Sequence, residues 1–387
     1  MTSPTTTPAV TQIPITKPYL GEEEIAAVAE AIRSGWVAQG PMVAKFERLL
    51  AERLGVEHVV ATSNCTTSLH IAMICAGVGA GDEVIVPSFT FIATANAVLY
   101  AGARPVFVDI DPRTYNMDPT KVEAAITPRT KAIVPVDQIG LAAELDPILE
   151  IAQRHGLRVI EDAAPALGAT YRGRPIGSIS PVTCFSFHPR KSITTGEGGA
   201  ITTNDAEIAA RARVLRSHGA SVSDLARHNA SHVTIEEYDE LGYNYRMSDI
   251  HAALGTVQLT RLDEILAKRQ HMAERYNRLI AQIPGVSTPS APDYAPHTYQ
   301  SYCVRLDPEQ CAPRDEVMER MLQLGIATRR GVMAIHEEPY YVKRFGTVSL
   351  PVTEEATRQT ILLPLFYEMT EEQQDRVVEA LHTTVRA

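Results

Sequence analysis

Residues 58–110 carry the clearest fold signal in the chain and read HVVATSNCTTSLHIAMICAGVGAGDEVIVPSFTFIATANAVLYAGARPVFVDI. Three short runs rich in β-branched residues, His58–Thr62, Glu83–Val86 and Pro105–Ile110, alternate here with longer helical patterns. Such alternation is typical of strands joined by crossover helices. The sequence therefore predicts an α/β protein with a mostly parallel sheet covered by helices.

The same alternation continues toward the C-terminus. Further strands are predicted at Lys131–Val136, Arg158–Glu161 and Thr183–Phe187, with a helix at Asp146–His155. After Ser248 the pattern changes. An amphipathic segment, residues 250–283, runs without a strand between its apolar positions.

Two helices are predicted ahead of the first strand. Residues 22–34 open with three glutamates and stop before Gly35, so acids lie at the positive end of the helix dipole and glycine at the C-cap. A second helix begins at Pro41 and ends at Gly55.

The length of 387 residues favours more than one domain. We predict a disordered, Thr- and Pro-rich tail over residues 1–12, a large domain over 13–250, and a linker helix with a smaller α+β domain over 251–387.

Composition excludes several classes of protein. The net charge of -10 argues against a nucleic-acid-binding protein, which needs a basic surface. The five cysteines show no CxxC pair or metal-ligand spacing, and the N-terminus lacks the order of a signal peptide, so we expect free thiols, no metal site and a cytoplasmic location. Residues 84–103 lack charge over the length of a membrane span, but their polar and proline interruptions favour a strand, a loop and a buried helix.

Four side chains follow or end predicted strands, namely Asn64, Phe91, Asp162 and Ser186. In open α/β sheets, ligands bind beyond the carboxyl ends of the strands. The sequence therefore predicts a ligand site where these residues meet.

The segment with the most chemistry is residues 184–200, CFSFHPRKSITTGEGGA. A strand ends near Phe187, a loop presents Lys191, and three glycines fall within four residues. Glycines permit close approach of a ligand, and a partly desolvated lysine loses its proton more easily and forms an imine with a carbonyl compound. A surface lysine in a glycine-rich turn is the alternative.

Asp162 ends an apolar strand in the stretch VIEDAAPALG, residues 159–168. A buried carboxylate is costly unless a cation meets it, and a protonated pyridine nitrogen is such a cation. The alternative is that Asp162 caps the next helix.

Two further segments fit a planar pyridine cofactor that carries a phosphate. Residues 61–69, ATSNCTTSL, place small hydroxyl side chains at a helix N-terminus, where a phosphate can bind, although ordinary capping is the alternative. Residues 87–91, PSFTF, offer aromatic rings that could stack on a planar ring or pack in the core.

These motifs resemble the DegT/StrS-type sugar aminotransferases, a branch of the fold-type I pyridoxal 5′-phosphate (PLP) enzymes. The resemblance runs from about Ile13 to the C-terminus and rests on GDEVIVPSFTFIATANAV, VIEDAAPALGA, CFSFHPRKSITTGEGGAI, GYNYRMSDIHAALG and LLPLFYEMTEEQQDRVVEAL. It implies an aspartate-aminotransferase-like three-layer large domain and a smaller C-terminal domain.

The resemblance also implies roles for single residues. Lys191 binds the cofactor covalently and later moves the proton, Asp162 pairs with the pyridine nitrogen, and Phe91 stacks on the ring. The side chains implied to hold the cofactor phosphate are Thr66, Thr67, Ser186 and, from the neighbouring subunit, Asn244. The active unit would then be a homodimer with shared active sites; alternatively, Asn244 is a turn residue.

Two positions depart from the family pattern. Pro165 stands where members often have a glutamine that contacts the ring hydroxyl, so that contact is absent or supplied elsewhere. The usual PVHLYG segment reads PVDQIG over residues 135–140. Because that region often faces the substrate in the family, an altered sugar or a keto-cyclitol (scyllo-inosose-like) acceptor is a second hypothesis.

The predicted function is transfer of an amino group from L-glutamate or L-glutamine to a keto sugar, linked to a nucleotide, in amino-sugar biosynthesis. Arg329 and Arg330 could meet a substrate anion, or they are surface arginines. A non-catalytic regulatory relative is the alternative from another class, and the presence of Lys191 and Asp162 argues against it.

Overall fold

The computed structural model describes residues 12–222, 224–233 and 235–386. The predicted disordered tail, apart from Gln12, lies outside the described residues. None of the helices in the described part of the chain is long and apolar enough to cross a membrane. Residues 84–103 form a strand, a loop and a helix, as predicted.

The secondary structure alternates through the first half of the chain. The strands are β1 (His58–Thr62), β2 (Glu83–Pro87), β3 (Arg104–Val108), β4 (Thr130–Ile133), β5 (Arg158–Asp162), β6 (Thr170–Tyr171), β7 (Arg174–Pro175), β8 (Val182–Ser186), β9 (Gly199–Thr203), β10 (Val286–Ser287), β11 (Tyr302–Leu306), β12 (Arg329–Arg330) and β13 (Thr360–Leu363). The helices are α1 (Glu22–Ser34), α2 (Pro41–Leu54), α3 (Cys65–Cys75), α4 (Ala93–Tyr100), α5 (Pro119–Val122), α6 (Leu145–His155), α7 (Ala206–Leu215), α8 (Asp224–Asn229), α9 (Asp249–Thr260), α10 (Leu262–Ile280), α11 (Arg314–Gln323), α12 (Pro339–Phe345), α13 (Pro351–Gln359) and α14 (Glu371–Thr384).

The large sheet has seven strands in the order β1-β9-β8-β5-β4-β2-β3. Only β9 runs against its neighbours β1 and β8; the other pairings in this sheet are parallel. The carboxyl ends of β1, β2, β5 and β8 therefore lie at one edge. The prediction of a mostly parallel α/β sheet is confirmed.

Helices cover both faces of this sheet. On β1, Val59 and Ala61 join one buried apolar cluster with residues of α2 and α9, while Val60 joins another with residues of α3 and α7. Successive side chains of a strand point to opposite faces, so these clusters form the two layers of core. The predicted three-layer arrangement follows from this alternation.

A second sheet of four antiparallel strands, β10-β11-β13-β12, lies near the C-terminus. Two helices, α9 and α10, precede this sheet where one amphipathic segment was predicted. The break between them lies at Arg261, which ends α9 and precedes α10. The proposed domain limits at residues 12/13 and 250/251 stay a prediction.

Candidate active site

The four predicted side chains lie where expected in the fold. Asn64 caps α3 just beyond β1, Phe91 lies between β2 and α4, Asp162 ends β5, and Ser186 ends β8. Because these strands are parallel, all four positions share the carboxyl edge of the sheet. The roles of these residues remain proposals, argued below from their surroundings.

Asp162 is buried, with 4% of its surface exposed. Its Oδ2 accepts a hydrogen bond from Thr94 Oγ1 at 2.7 Å, and its Oδ1 accepts one from the Ala164 N–H at 3.1 Å. Burial raises the pKa of the Asp162 carboxyl, against the lowering effects of these hydrogen bonds and of the Lys191 charge. An ionised carboxylate here therefore gains from a cationic partner, which a protonated pyridine ring would supply.

Lys191 lies in the loop that follows β8. Its backbone N–H donates to the His188 carbonyl at 2.8 Å, and the loop returns to the strand through the Thr195 N–H, which donates to the Phe187 carbonyl at 2.9 Å. Burial lowers the pKa of the Lys191 ammonium, while Cys65 and Asp162 raise it and Arg190 lowers it. A larger neutral fraction makes the amine a better nucleophile toward an aldehyde.

The N-terminus of α3, residues 64–67, is the proposed phosphate cradle. The Asn64 side chain accepts from the Thr67 N–H at 3.0 Å, and the Thr67 hydroxyl donates to the Asn64 carbonyl at 2.7 Å. The first amides of the helix, at Cys65 and Thr66, have no carbonyl partner within the helix. Thr67 must exchange its capping bond to donate to a phosphate, whereas the half-buried Thr66 hydroxyl makes no hydrogen bond in the part of the chain described.

Two glycines bring the lysine loop against this cradle. A Cβ atom at Gly199 would lie 2.5 Å from the Asn64 carbonyl carbon and 2.6 Å from the Cys65 nitrogen. A Cβ atom at Gly198 would lie 2.2 Å from Thr195 Oγ1. A side chain at Gly199 would collide with the backbone of the cradle, and one at Gly198 would collide with Thr195 in the lysine loop, so close approach requires both glycines.

Ser186 and Phe91 are two further predicted cofactor-binding residues at this edge of the sheet. Ser186 is 9% exposed, and its hydroxyl accepts from the His188 N–H at 3.4 Å. Phe91 is 60% exposed, and its carbonyl accepts from the N–H of Thr94, the residue bonded to Asp162. Phe91 is thus joined through Thr94 to the buried carboxylate, and its proposed stacking on a planar ligand stays a prediction.

Asn244 lies in a segment that borders the cradle of its own chain. The neighbouring Tyr245 carbonyl accepts from the Ser63 N–H at 2.8 Å. The Asn244 side chain is exposed. Its proposed contact with the phosphate of a second subunit stays a prediction.

Sequence reasoning missed Thr94. It lies in the FTFIAT stretch, but a threonine at the start of a helix is ordinary, and only the fold brings it to Asp162 across 68 positions of sequence. That the ring-hydroxyl contact is absent at Pro165 or supplied by another residue stays a prediction.

The PVDQIG segment was expected near the substrate, but its polar side chains point inward. Asp137 is fully buried and Gln138 is 4% exposed. Gln138 Nε2 donates to the Phe89 carbonyl, and the Asp137 Oδ1 accepts from the Ala143 N–H at 2.8 Å. The departure from the family pattern therefore changes hydrogen bonds within the chain, and the hypothesis of an altered acceptor stays a prediction.

A family model for the DegT/DnrJ/EryC1/StrS aminotransferase family matches residues 18–382. The chain is 41% identical over 378 residues to the spore coat polysaccharide biosynthesis protein SpsC of Bacillus subtilis, covering 97% of both chains. The aminotransferase TlmJ from Streptoalloteichus hindustanus superposes with a TM-score of 0.88 at 35% identity, over 96% of this chain and 98% of TlmJ. DesI, solved in the presence of its TDP-sugar product, superposes with a TM-score of 0.87 at 34% identity, over 96% of this chain and 93% of DesI.

Proposed function

This chain belongs to the DegT/DnrJ/EryC1/StrS aminotransferase family and is a PLP-dependent aminotransferase, and from that premise we propose that it aminates a nucleotide-linked keto sugar with L-glutamate or L-glutamine as donor. The observation that carries the proposal is that a buried carboxylate, Asp162, and a lysine of lowered pKa, Lys191, lie at the carboxyl end of β5 and beyond that of β8 and act on each other electrostatically.

The residues present fit the cofactor. Asp162 would hold the ring nitrogen, Lys191 would bind the aldehyde carbon, and the phosphate would lie against the amides of Cys65 and Thr66 with the Thr66, Thr67 and Ser186 hydroxyls. Phe91 would cover the ring. When bound, PLP supplies an electron sink for the carbanion formed at the substrate carbon.

Each half of the reaction needs a proton moved at the substrate carbon that carries nitrogen. With PLP bound, the neutral amine of Lys191 would be the group that takes up and returns the proton exchanged at the substrate carbon. Asp162, held by Thr94 and Ala164, would keep its charge against the ring nitrogen throughout. Both half-reactions would use the same lysine in opposite directions.

Cationic side chains beside Lys191 support a phosphate-bearing acceptor. Burial and the charge of Arg329 lower the pKa of Arg190. Burial and the charges of Arg190, Lys191 and Arg329 also lower the pKa of His188, against the raising effect of Glu197. Arg190 and Arg329 make no ion pair within the described ranges, whereas Arg330 pairs with Glu338 at 3.1 Å. The chain has a net charge of -10, yet Arg190 and Arg329 have no ion-pair partner among the described residues. Their positive charges fit a diphosphate ligand, such as that of the TDP-sugar of DesI.

The proposed active unit is a homodimer with shared sites. Asn244 is exposed beside the cradle, and the exposed Phe91 ring lies at the site's open side. A size measurement of the holoenzyme, together with an Asn244→Ala variant that binds PLP less tightly without changing its size, would support this arrangement. A monomer that binds PLP and turns over would contradict it.

The test of function separates the two half-reactions. Holoenzyme is mixed with L-glutamate or L-glutamine, and release of the 2-oxo acid and the change in the visible spectrum are followed. The aminated form is then offered a nucleotide-linked keto sugar, the same sugar without nucleotide, and a keto-cyclitol, and the amine product is identified by mass spectrometry. We expect turnover with the nucleotide-linked sugar.

Reaction with the cyclitol alone would reassign the acceptor. A colourless protein that takes up no PLP would favour the regulatory alternative. Lys191→Ala, compared with the exposed control Lys45→Ala, ties the result to the proposed site.

A further inference from the structure

Three carboxyl groups lie together beneath the site. Asp137 and Glu161 are fully buried, and Asp162 is 4% exposed. The cation that acts on Asp162 is Lys191. Three buried negative charges beside one cation of lowered pKa would be very unfavourable, so at least one of the acids must hold a proton.

Hydrogen-bond accounting shows where that proton is. Asp137 Oδ1 accepts from the Ala143 N–H at 2.8 Å, and Glu161 Oε2 accepts from Thr183 Oγ1 at 2.8 Å. The other two oxygens, Asp137 Oδ2 and Glu161 Oε1, are buried and have no donor among the described residues. The parallel bridge between Val136 and Asp162 places the side chains of Asp137 and Glu161 on the same face of adjacent segments, and each carboxyl acts on the pKa of the other.

Two carboxylates cannot bond to each other, because each only accepts; a single proton between them satisfies both free oxygens. The Ser180 hydroxyl also approaches Glu161, but it makes no hydrogen bond of normal geometry in the described structure.

The pair is joined to Asp162 through the backbone. The Asp137 N–H donates to the Asp162 carbonyl at 3.1 Å, and the Asp162 N–H donates to the Pro135 carbonyl at 2.9 Å. Glu161 precedes Asp162 on β5. A shift of either member of the pair would therefore move the carboxylate that faces the ligand.

We infer that Asp137 and Glu161 share one proton, and that this acid pair positions Asp162 and leaves it as the ionised group that faces the cofactor. The positioning role rests on the proposed function of Asp162. The shared proton does not, because it follows from the burial and hydrogen bonding of the two acids alone.

The directions of the pKa shifts of the two acids agree with a shared proton. Burial, with the charge of Glu161, raises the pKa of Asp137 well above its usual range, and burial also raises the pKa of Glu161. The other titratable groups facing the pair are Asp162 and the Cys184 thiol, whose own pKa is raised by burial, with Lys191 beyond Asp162.

The acid pair makes the free energy of unfolding fall as the pH rises. A raised pKa means that the folded protein holds a proton that the unfolded chain has already released. The stability due to the pair is complete below the unfolded pKa values and is lost as pH rises through the folded ones.

The test compares the wild type with Asp137→Asn and Glu161→Gln in the full-length chain. Each amide can donate to the remaining carboxylate, so the hydrogen bond and the single negative charge persist without a shared proton. The exposed Asp293→Asn serves as control. Apoenzyme is examined by infrared spectroscopy and by thermal unfolding across pH, and PLP affinity is measured by titration.

We expect the wild type and the control to show the C=O stretch of a protonated carboxyl at neutral pH, and both amide variants to lack it. The fall in unfolding midpoint from neutral to alkaline pH should be shallower in both variants. PLP affinity should stay within about threefold of wild type in the amide variants and fall about tenfold or more in Asp137→Ala, which leaves Glu161 unpaired.

A wild type with no protonated carboxyl at neutral pH would overturn the shared proton, as would an unchanged pH slope in both amide variants. Equal PLP affinity in Asp137→Ala and Asp137→Asn would overturn the positioning role. If one amide variant does not fold, the other carries the test. These readouts use no amino donor or acceptor, so they are independent of the outcome of the turnover assays.

Discussion

Two regions of the molecule bury a cationic side chain, one without hydrogen-bond acceptors for its nitrogen in the part of the chain described and the other with several. At the carboxyl edge of the seven-stranded sheet, burial lowers the pKa of Lys191, whose Nζ makes no hydrogen bond within the described residues. In α10, Arg269 is 3% exposed, and its Nη1 donates to the carbonyl oxygens of Tyr299, Gln300 and Leu365 at 3.2, 3.1 and 3.5 Å.

Burial lowers the pKa of Arg269 to about 10, yet the guanidinium stays charged and joins α10 to the segments that precede β11 and follow β13. Lys191 has no such partners, so its amine is available for chemistry. The difference teaches that a buried cation is structural where carbonyl oxygens accept its hydrogen bonds, as at Arg269 Nη1, and is available for chemistry where its nitrogen has no acceptor among the described residues, as at Lys191 Nζ.

The strongest test of this comparison is Lys191→Ala. Because the amine moves the proton in both half-reactions, we expect turnover to fall by about 10³-fold or more. Since the Nζ makes no hydrogen bond, the free energy of unfolding should change little. Steady-state rates and urea unfolding of the apoenzyme measure the two effects, with Lys45→Ala as control. A large loss of stability with retained turnover would place Lys191 with the structural cations.

The next effect concerns the carboxylate that faces the lysine. Asp162→Asn keeps the size of the side chain but removes its charge, so the ring nitrogen loses its partner. We expect the rate of amino transfer to fall by about a hundredfold. Single-turnover absorbance changes with the amino donor measure this rate. A rate within twofold of wild type would show that the charge of Asp162 is not used.

Arg269→Met tests the other side of the comparison. Three carbonyl groups lose a donor in the interior, and we expect the free energy of unfolding to fall by about 3 kcal/mol. Denaturant unfolding of the apoenzyme measures the loss, with the exposed Arg278→Met on the same helix as control. PLP affinity of the folded variant should remain close to wild type; a selective loss of PLP binding would link Arg269 to the site.

The smallest expected effect is that of Thr94→Val. Loss of the 2.7 Å hydrogen bond raises the pKa of Asp162 further and loosens its side chain, so PLP affinity should fall by about fivefold. Thr90→Val is a matched control, because the Thr90 hydroxyl bonds to Thr94 Oγ1 at 3.0 Å but not to Asp162. Equal effects of the two variants would deny Thr94 a specific part in holding the carboxylate.

Local signals predicted the ends of elements well. Residues 22–34 form a helix with the predicted limits, and Gly35 adopts the left-handed conformation at its C-cap with φ 81°. Strand β1 also has its predicted limits. Caps and short apolar runs act over a few residues, so a single stretch of sequence contains their whole cause.

Other features escaped sequence reasoning because their causes are distant. Strand β9 follows the glycine-rich lysine loop and was not predicted, since its pairing with β1 spans more than a hundred residues. The break at Arg261 was missed within a continuous amphipathic pattern. The inward direction of Asp137 was not visible either, because the letters of PVDQIG do not show which side of the chain faces the core.

The α/β alternation, the limits of α1 and β1, and the positions of Asp162 at a strand end and of Lys191 in a loop after a strand were determined by the amino-acid sequence alone, since periodicity and local turn chemistry encode them. Which side chains meet was decided by the tertiary structure. The Thr94–Asp162 bond, the Asp137–Glu161 pair and the carbonyl shell of Arg269 each join segments far apart in the chain. Burial in a shared interior, rather than any local pattern, gives those contacts their strength and shifts the pKa values of the groups that make them.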